Sequence, residues 1–239
     1  MMVYGHKVNQ LARIFMKRFP RPTLLVLAVK ALIFLGGIFI LTLGAAALIE
    51  ANLGVASWDV LHIGLAAHNT LSIGTWVQII GILMVLLASA LERKKPQIGS
   101  AVNILLIGFS LNWILDWHML PIADTVWKSV LKLVCGVCLM GLGSGMYVAT
   151  ALGAGPRDGL TLVLSRMSGR SVRLVRTMLE ITALFCGWVI GGPISMGTFV
   201  AVFLTGPIMQ ASLYFWRRQI ESFENFIIED SKELVKDFS

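Results

Sequence analysis

Six apolar runs dominate the chain, at about 31–50, 73–91, 98–116, 131–151, 174–191 and 194–215. Each is near the ~20 residues that a helix needs to cross the hydrocarbon core of a bilayer. In lipid the backbone must satisfy its own hydrogen bonds, so each run predicts a helix rather than a strand. Composition agrees with this. Only 14% of the 239 residues are charged, against roughly a quarter in soluble domains, and mean hydropathy is +0.80. The net charge of +7 does not point to nucleic acid, because the lysines and arginines gather at the ends of the runs, where orientation needs them. No nucleic-acid partner is expected.

The connections set an orientation. The N-terminal arm is basic (Lys7, Arg13, Lys17, Arg18, Arg21) and is expected in the cytoplasm. Its apolar sequel is too long for the core of a cleavable signal, so none is expected. Segment 51–72 lacks lysine and arginine and falls outside, Glu92-Arg93-Lys94-Lys95 inside, and 117–127 outside. Segment 152–173 carries Arg157, Arg166, Arg170 and Arg173 and falls inside; Gly191-Gly192-Pro193 is outside; Arg217-Arg218 returns inside. Every connection obeys the positive-inside rule, with both termini cytoplasmic and a multi-pass location in a bacterial inner membrane. Lys30 and Lys132, at the edges of two runs, are placed to snorkel. The tail after Trp216 alternates Ile220, Phe223, Phe226 and Ile227 with charges, the pattern of an amphipathic helix at the cytoplasmic interface.

The chain also repeats itself. Leu53-Gly54, Asp59 and Leu61 recur as Leu152-Gly153, Asp158 and Leu160, at an offset of 152 − 53 = 99. Gly37, Gly44, Leu65 and Ser72 match Gly136, Gly143, Leu164 and Ser171 in the same register. Further on the offset slips by one, so that Gly99 matches Gly197 and Gly108 matches Gly206. The expected fold is therefore all-α, with six transmembrane helices in two inverted-topology repeats of three spans. The divisions are a cytoplasmic or interfacial arm (1–30), a first repeat (31–116), an outer connection (117–130), a second repeat (131–215) and a cytoplasmic tail (216–239). Three spans per half is odd, so the second half enters from the opposite side, an architecture recurrent in transporters with a site near the midplane. A rival makes each motif segment a full span, giving eight spans and parallel halves. Segments 55–68 and 155–168 are short for that and hold Asp59, His62, His68, Arg157, Asp158 and Arg166. A re-entrant or interfacial short helix in each half fits better.

Candidate site residues follow from charge at membrane depth. Ser57 is expected to cap the first motif helix, with Asp59 in its first turn; Gly155 caps the second, with Pro156 leading and Asp158 in its first turn. Both aspartates suit the helix dipole, and their symmetric placement also points them at an inter-repeat cavity. Glu180 lies inside the fifth run, where an unpaired carboxylate costs about 2.5–3.5 kcal/mol. Arg176, one turn earlier, is its expected partner. Asn103 and Gln78 are polar residues inside spans, suited to inter-helix hydrogen bonding or to lining a site. The set is Asp59, Arg157, Asp158, Arg176, Glu180, Asn103 and Gln78. Gly141, Gly143, Gly145, Gly187 and Gly191 present small faces for close helix packing.

His62, His68 and His118 lack i, i+4 partners and suggest no metal site. Cys135 and Cys138, spaced C-x-x-C, and Cys186 read as small packing residues, without the context of redox or zinc chemistry. No nucleophile-elbow, zincin or Walker sequence is present, so neither an enzyme, a cofactor nor an ATP-driven pump is expected.

These residues resemble the YczE/YyaS/YitT family of bacterial integral membrane proteins, most closely its YczE-like branch. The resemblance rests on Ser57-Trp58-Asp59-Val60-Leu61-His62 and Ser72-Ile73-Gly74-Thr75 in the first half. In the second it rests on Gly153-Ala154-Gly155-Pro156-Arg157-Asp158-Gly159-Leu160, Gly169 to Thr177, Glu180, Gly187-Trp188, Gly191-Gly192 and Gly197-Thr198. It runs over about 25–215. Ser57 stands where the family's first motif often has proline. The resemblance implies a membrane protein of unassigned activity, often supposed to be a transporter. The expected function is a secondary transporter or carrier of a small molecule or lipid, with the lipid bilayer as partner and a homo-oligomer open. The alternative is a non-transporting scaffold or assembly partner acting through the tail.

Overall fold

The computed structural model describes residues 21–96, 98–153 and 155–237; residues 1–20 of the expected basic arm lie outside them. Among the described residues the chain is helical, without strands. The helices are α1 (Arg21–Ala51), α2 (Ser57–Ala67), α3 (Ile73–Glu92), α4 (Ile98–Asp116), α5 (Val126–Ala149), α6 (Pro156–Ser168), α7 (Val172–Val189) and α8 (Met196–Asp237).

Five of them, α1, α3, α4, α5 and α8, are long and apolar enough to cross a membrane. Their outer faces carry large apolar side chains such as Leu32, Leu83, Phe109 and Phe203, as lipid-facing surfaces do. The run expected at 174–191 differs. Helix α7 has the length, but its 18 residues include Arg173, Arg176 and Glu180, too many charges for an apolar span. The first apolar span is longer than expected, Leu24–Ala51.

Local sequence starts and stops these helices. Ser72 and Ser171, matched in the repeat, do the same job: each side chain accepts from the backbone N–H three residues on, of Thr75 and of Leu174. Gly169 ends α6 at φ 67°, a left-handed conformation that glycine adopts without strain.

The core is the crossing of α1 and α5. Phe34, Ile38, Leu41 and Leu48 interlock there with Leu133, Val137, Met140 and Tyr147. Glycines let the backbones touch. Gly37 lies against Gly143 and Tyr147, and Gly44 against Gly136 and Met140. As one chain number rises the other falls, so α1 and α5 run antiparallel.

Each motif helix packs on the other half. Helix α2 lies along α7, and α6 lies along α3. Ser57 meets Glu180, Gly64 meets Gly187, and His68 Nε2 lies 2.7 Å from the Ile190 carbonyl. Helix α2 therefore runs in the same direction as α7. The turns before the motif helices are seated reciprocally too. Gly54 presses on Gly197 and Thr198, while Gly153 presses on Gly99.

Ion pairs tie the periphery. Lys132 reaches Glu50 at 2.6 Å and Lys30 pairs with Glu224, so both find carboxylates within the protein. Arg166 of α6 pairs with Glu92 at the end of α3. The tail is continuous with the last apolar span. Helix α8 continues through 216 as one element of 42 residues, and buried Ile220 with Phe223 borders Val26, Val29 and Ile33 of α1. Packing against α1 holds the tail in line with its span.

Candidate functional site

A cavity of about 320 Å³ lies between the halves, and every one of α1–α8 contributes to its wall. Repeat-related residues face it in pairs: Leu41 and Met140, Ala45 and Ser144, Asp59 and Asp158. Asn103, Arg157, Arg176 and Glu180 also line it. Gln78 does not. Its amide donates to the Leu105 carbonyl at 3.1 Å, which binds α3 to α4.

The first motif helix departs from its expected start. Ala56, in extended conformation, occupies the cap position, and Ser57 is already helical. The Ser57 hydroxyl instead donates to Glu180 Oε2 at 2.7 Å, joining α2 to α7. Gly155 and Pro156 begin α6 as expected, and both aspartates fall in first turns. Gly155 is required by contact, since a Cβ there would lie 2.7 Å from the Tyr147 hydroxyl.

The expected Arg176–Glu180 pair is replaced. Helix α6 packs on α7 so that Asp158 Oδ1 sits 3.6 Å from Arg176 Nη1, and the same guanidinium reaches Met209 Sδ at 3.8 Å. Glu180 is served by Ser57. Arg157 stacks over the Trp58 ring, 5.3 Å from its centroid. Trp58 and Arg157 are themselves repeat-related, so the two motif helices meet through equivalent positions.

The two aspartates have opposite surroundings. Asp158 has Arg176. Asp59 is 3% exposed, and its neighbour is His62, with Nδ1 3.5 Å from Oδ1, long for a hydrogen bond. Among the described residues, buried side-chain nitrogens and oxygens without a protein partner occur on Asp59, His62, Asn103 and Thr205. All four residues line this one cavity. Asn103 is the extreme case, wholly buried with both amide atoms unpartnered. Thr205 precedes Gly206 and Pro207 in α8, where proline removes one rung of the helical ladder. Each unsatisfied buried group costs about 1–3 kcal/mol, so four in one place are not a packing accident.

His62 and Tyr147 were not singled out as site residues by their sequence context. The i, i+3 spacing of Asp59 and His62 is a signal that could have found the first; Tyr147 carries none, since its role comes from the α1–α5 crossing.

Residues 28–213 match the model of a family of unknown function, DUF6198. The chain belongs to this family. The chain is similar to the uncharacterized membrane protein YczE of Bacillus subtilis (strain 168), 39% identical over 181 residues, which cover 75% of this chain and 83% of that protein. The uncharacterized protein YyaS of the same organism is 30% identical, over 72% of this chain and 87% of its own length. An uncharacterized protein of Haemophilus influenzae is 28% identical over 74% of this chain and 80% of its own. The resemblance to YczE and YyaS thus holds over about three quarters of the chain. No solved structure matches the chain. With its apolar helices and this kinship, the chain is a multi-pass integral membrane protein.

Proposed function

We propose that the chain is a secondary transporter or carrier of a small solute, with its binding site in the cavity between two inverted three-span halves. The observation that carries this reading is the convergence on that cavity of Asp59, His62, Asn103 and Thr205, each of which holds at least one buried polar atom without a hydrogen-bond partner in the protein. A membrane protein keeps such groups at depth when a substrate or ion completes them.

The architecture supports the reading at several points. Repeat-equivalent α1 and α5 cross antiparallel, as oppositely directed halves require and as parallel halves of four spans would not allow. The motif turns are seated reciprocally on the opposite half. Helix α7 serves as the sixth span because Arg176 and Glu180 face the cavity rather than lipid. With basic connections inside, both termini lie in the cytoplasm of a bacterial cell. The reading assigns no catalytic step and no cofactor.

Two measurements test it. With Cys135, Cys138 and Cys186 replaced, a cysteine at Thr70 is expected to react with an impermeant thiol reagent from outside intact cells, and one at Arg170 only after the cytoplasmic side is opened. Labelling of both from one side would remove the inverted arrangement. Asp59→Asn, inserted at normal levels, is expected to give cells whose solute pools match those of cells lacking the protein. Pools indistinguishable from those with the unaltered chain would remove the carrier reading.

A further inference from the structure

We infer that the cargo carries a protonated amine, which docks on Asp59, and a second hydrogen-bonding group, which docks on Asn103. This rests on the cavity being a cargo site, and it adds the class of cargo.

Unpartnered hydrogen-bonding atoms on the cavity wall define what the ligand must supply. The open acceptors are Asp59 Oδ2 and Asn103 Oδ1; the open donor is Asn103 Nδ2, with Thr205 Oγ1 and His62 Nδ1 able to act either way. The carboxylate oxygen of Asp59 can only accept when ionised, so the missing partner brings a donor to it. Charge says the same. Asp59, Asp158 and Glu180 line the cavity together with Arg157 and Arg176. Arg176 is engaged by Asp158, the Ser57 hydroxyl serves Glu180, and Arg157 lies on Trp58. Among the described residues no lysine or arginine pairs with Asp59, whose charged-capable neighbour is His62. A cationic donor supplied from outside the protein fits that gap, whereas a phosphate or lone carboxylate would meet Asp59 as a like charge.

The repeat sharpens the point. In the second half the equivalent aspartate, Asp158, is answered by Arg176 of the protein itself. The residue equivalent to Asn103 under the later offset is Ala201, which offers nothing polar. Divergence has closed one half of the site and left the other open, and a ligand held mainly by one half has a defined orientation. About 320 Å³ is at the small end of ligand pockets, which suits a metabolite-sized solute. Arg157 lies over the Trp58 ring on the same cavity wall, where it is the cation that a carboxylate on the same solute would meet. Amino-acid-like zwitterions and simple amines therefore share the ammonium, and the test separates them.

The experiment uses the purified full chain in lipid nanodiscs and its thermal midpoint in a panel of probes: leucine, leucinamide, 1,4-diaminobutane, 4-methylpentanoate and sodium ion. Amine-bearing probes are expected to raise the midpoint, and 4-methylpentanoate and sodium are not. Equal effects of leucine and leucinamide identify a simple amine site; an effect of leucine alone identifies a zwitterion site. In Asp59→Asn the half-saturating amine concentration should rise at least tenfold, and in Asp158→Asn it should change far less. Stabilisation by none of the amines overturns the inference, as does stabilisation by the carboxylate or by sodium in their place. The panel on the unaltered chain decides even if a variant fails to fold. Amine binding without uptake of the same labelled amine into liposomes keeps the cavity as an amine-binding site and removes the carrier reading. Uptake of an anion without any amine effect does the reverse.

Discussion

Alanine at Gly143 is expected to lower the thermal midpoint of the purified chain by several degrees, while alanine at Gly159 leaves it level or raises it. Both changes add one methyl group to a helix, and helix propensity alone favours alanine over glycine by about 0.5–1 kcal/mol in each. The surroundings differ. A Cβ at Gly143 would lie 2.5 Å from the Gly37 carbonyl oxygen and 2.8 Å from the Leu41 Cα, both backbone atoms of α1. Backbone has no rotamer to give, so α1 and α5 must part. Parting them loosens the interlocked residues from Phe34 to Tyr147 that form the core. Overpacking of this kind costs about 1–3 kcal/mol, more than propensity returns. A Cβ at Gly159 meets nothing within 4 Å. Thermal unfolding of both variants in one detergent checks the difference. Equal midpoints would mean that the α1–α5 crossing is not the core contact described.

Those glycines also show what was legible in the amino acids and what was not. Gly37 and Gly44 are readable as copies of Gly136 and Gly143, because a fixed offset needs no structure. That the copies then meet crosswise, Gly37 on Gly143 and Gly44 on Gly136, follows only from the antiparallel crossing. The long apolar helices were legible because lipid enforces length and composition. Helix α7 was legible as a run but not as a kind of helix, since its charges depend on which face turns inward. Side-chain partners were the least legible. Ser57 looks like a cap by local grammar, yet Glu180, 123 residues away, takes its hydroxyl. Arg176 looks like the partner of Glu180 on the same helix, yet the packing of α6 on α7 brings Asp158 to it. Local rules rank local partners, and a cavity shared by eight helices is assembled from distant ones. The tail's alternating pattern describes an amphipathic surface, and only the structure shows that Ile220 and Phe223 of that surface lie beside α1.

Leucine at Asn103 is expected to make the protein more stable and inactive at once. The two side chains share the number and branching of their heavy atoms, and the cavity that Asn103 lines leaves room for the bulkier methyl groups of leucine. It removes a wholly buried amide whose donor and acceptor both lack partners in the protein. Relief of such a group is worth about 1–3 kcal/mol, and the thermal midpoint should rise accordingly. If the amide instead served the fold, through contacts that hold α4 in place, leucine would lower the midpoint, and the sign of the shift tells the two apart. Activity should move the other way. A solute that supplies the missing hydrogen bonds loses both, and a site built to bond a polar group discriminates by factors far larger than an apolar pocket can reach. Solute binding by Asn103→Leu should therefore weaken at least tenfold, with Asn103→Gln intermediate because it keeps the amide but displaces it. Stability gained and binding retained together would mean that Asn103 faces the cavity without serving it.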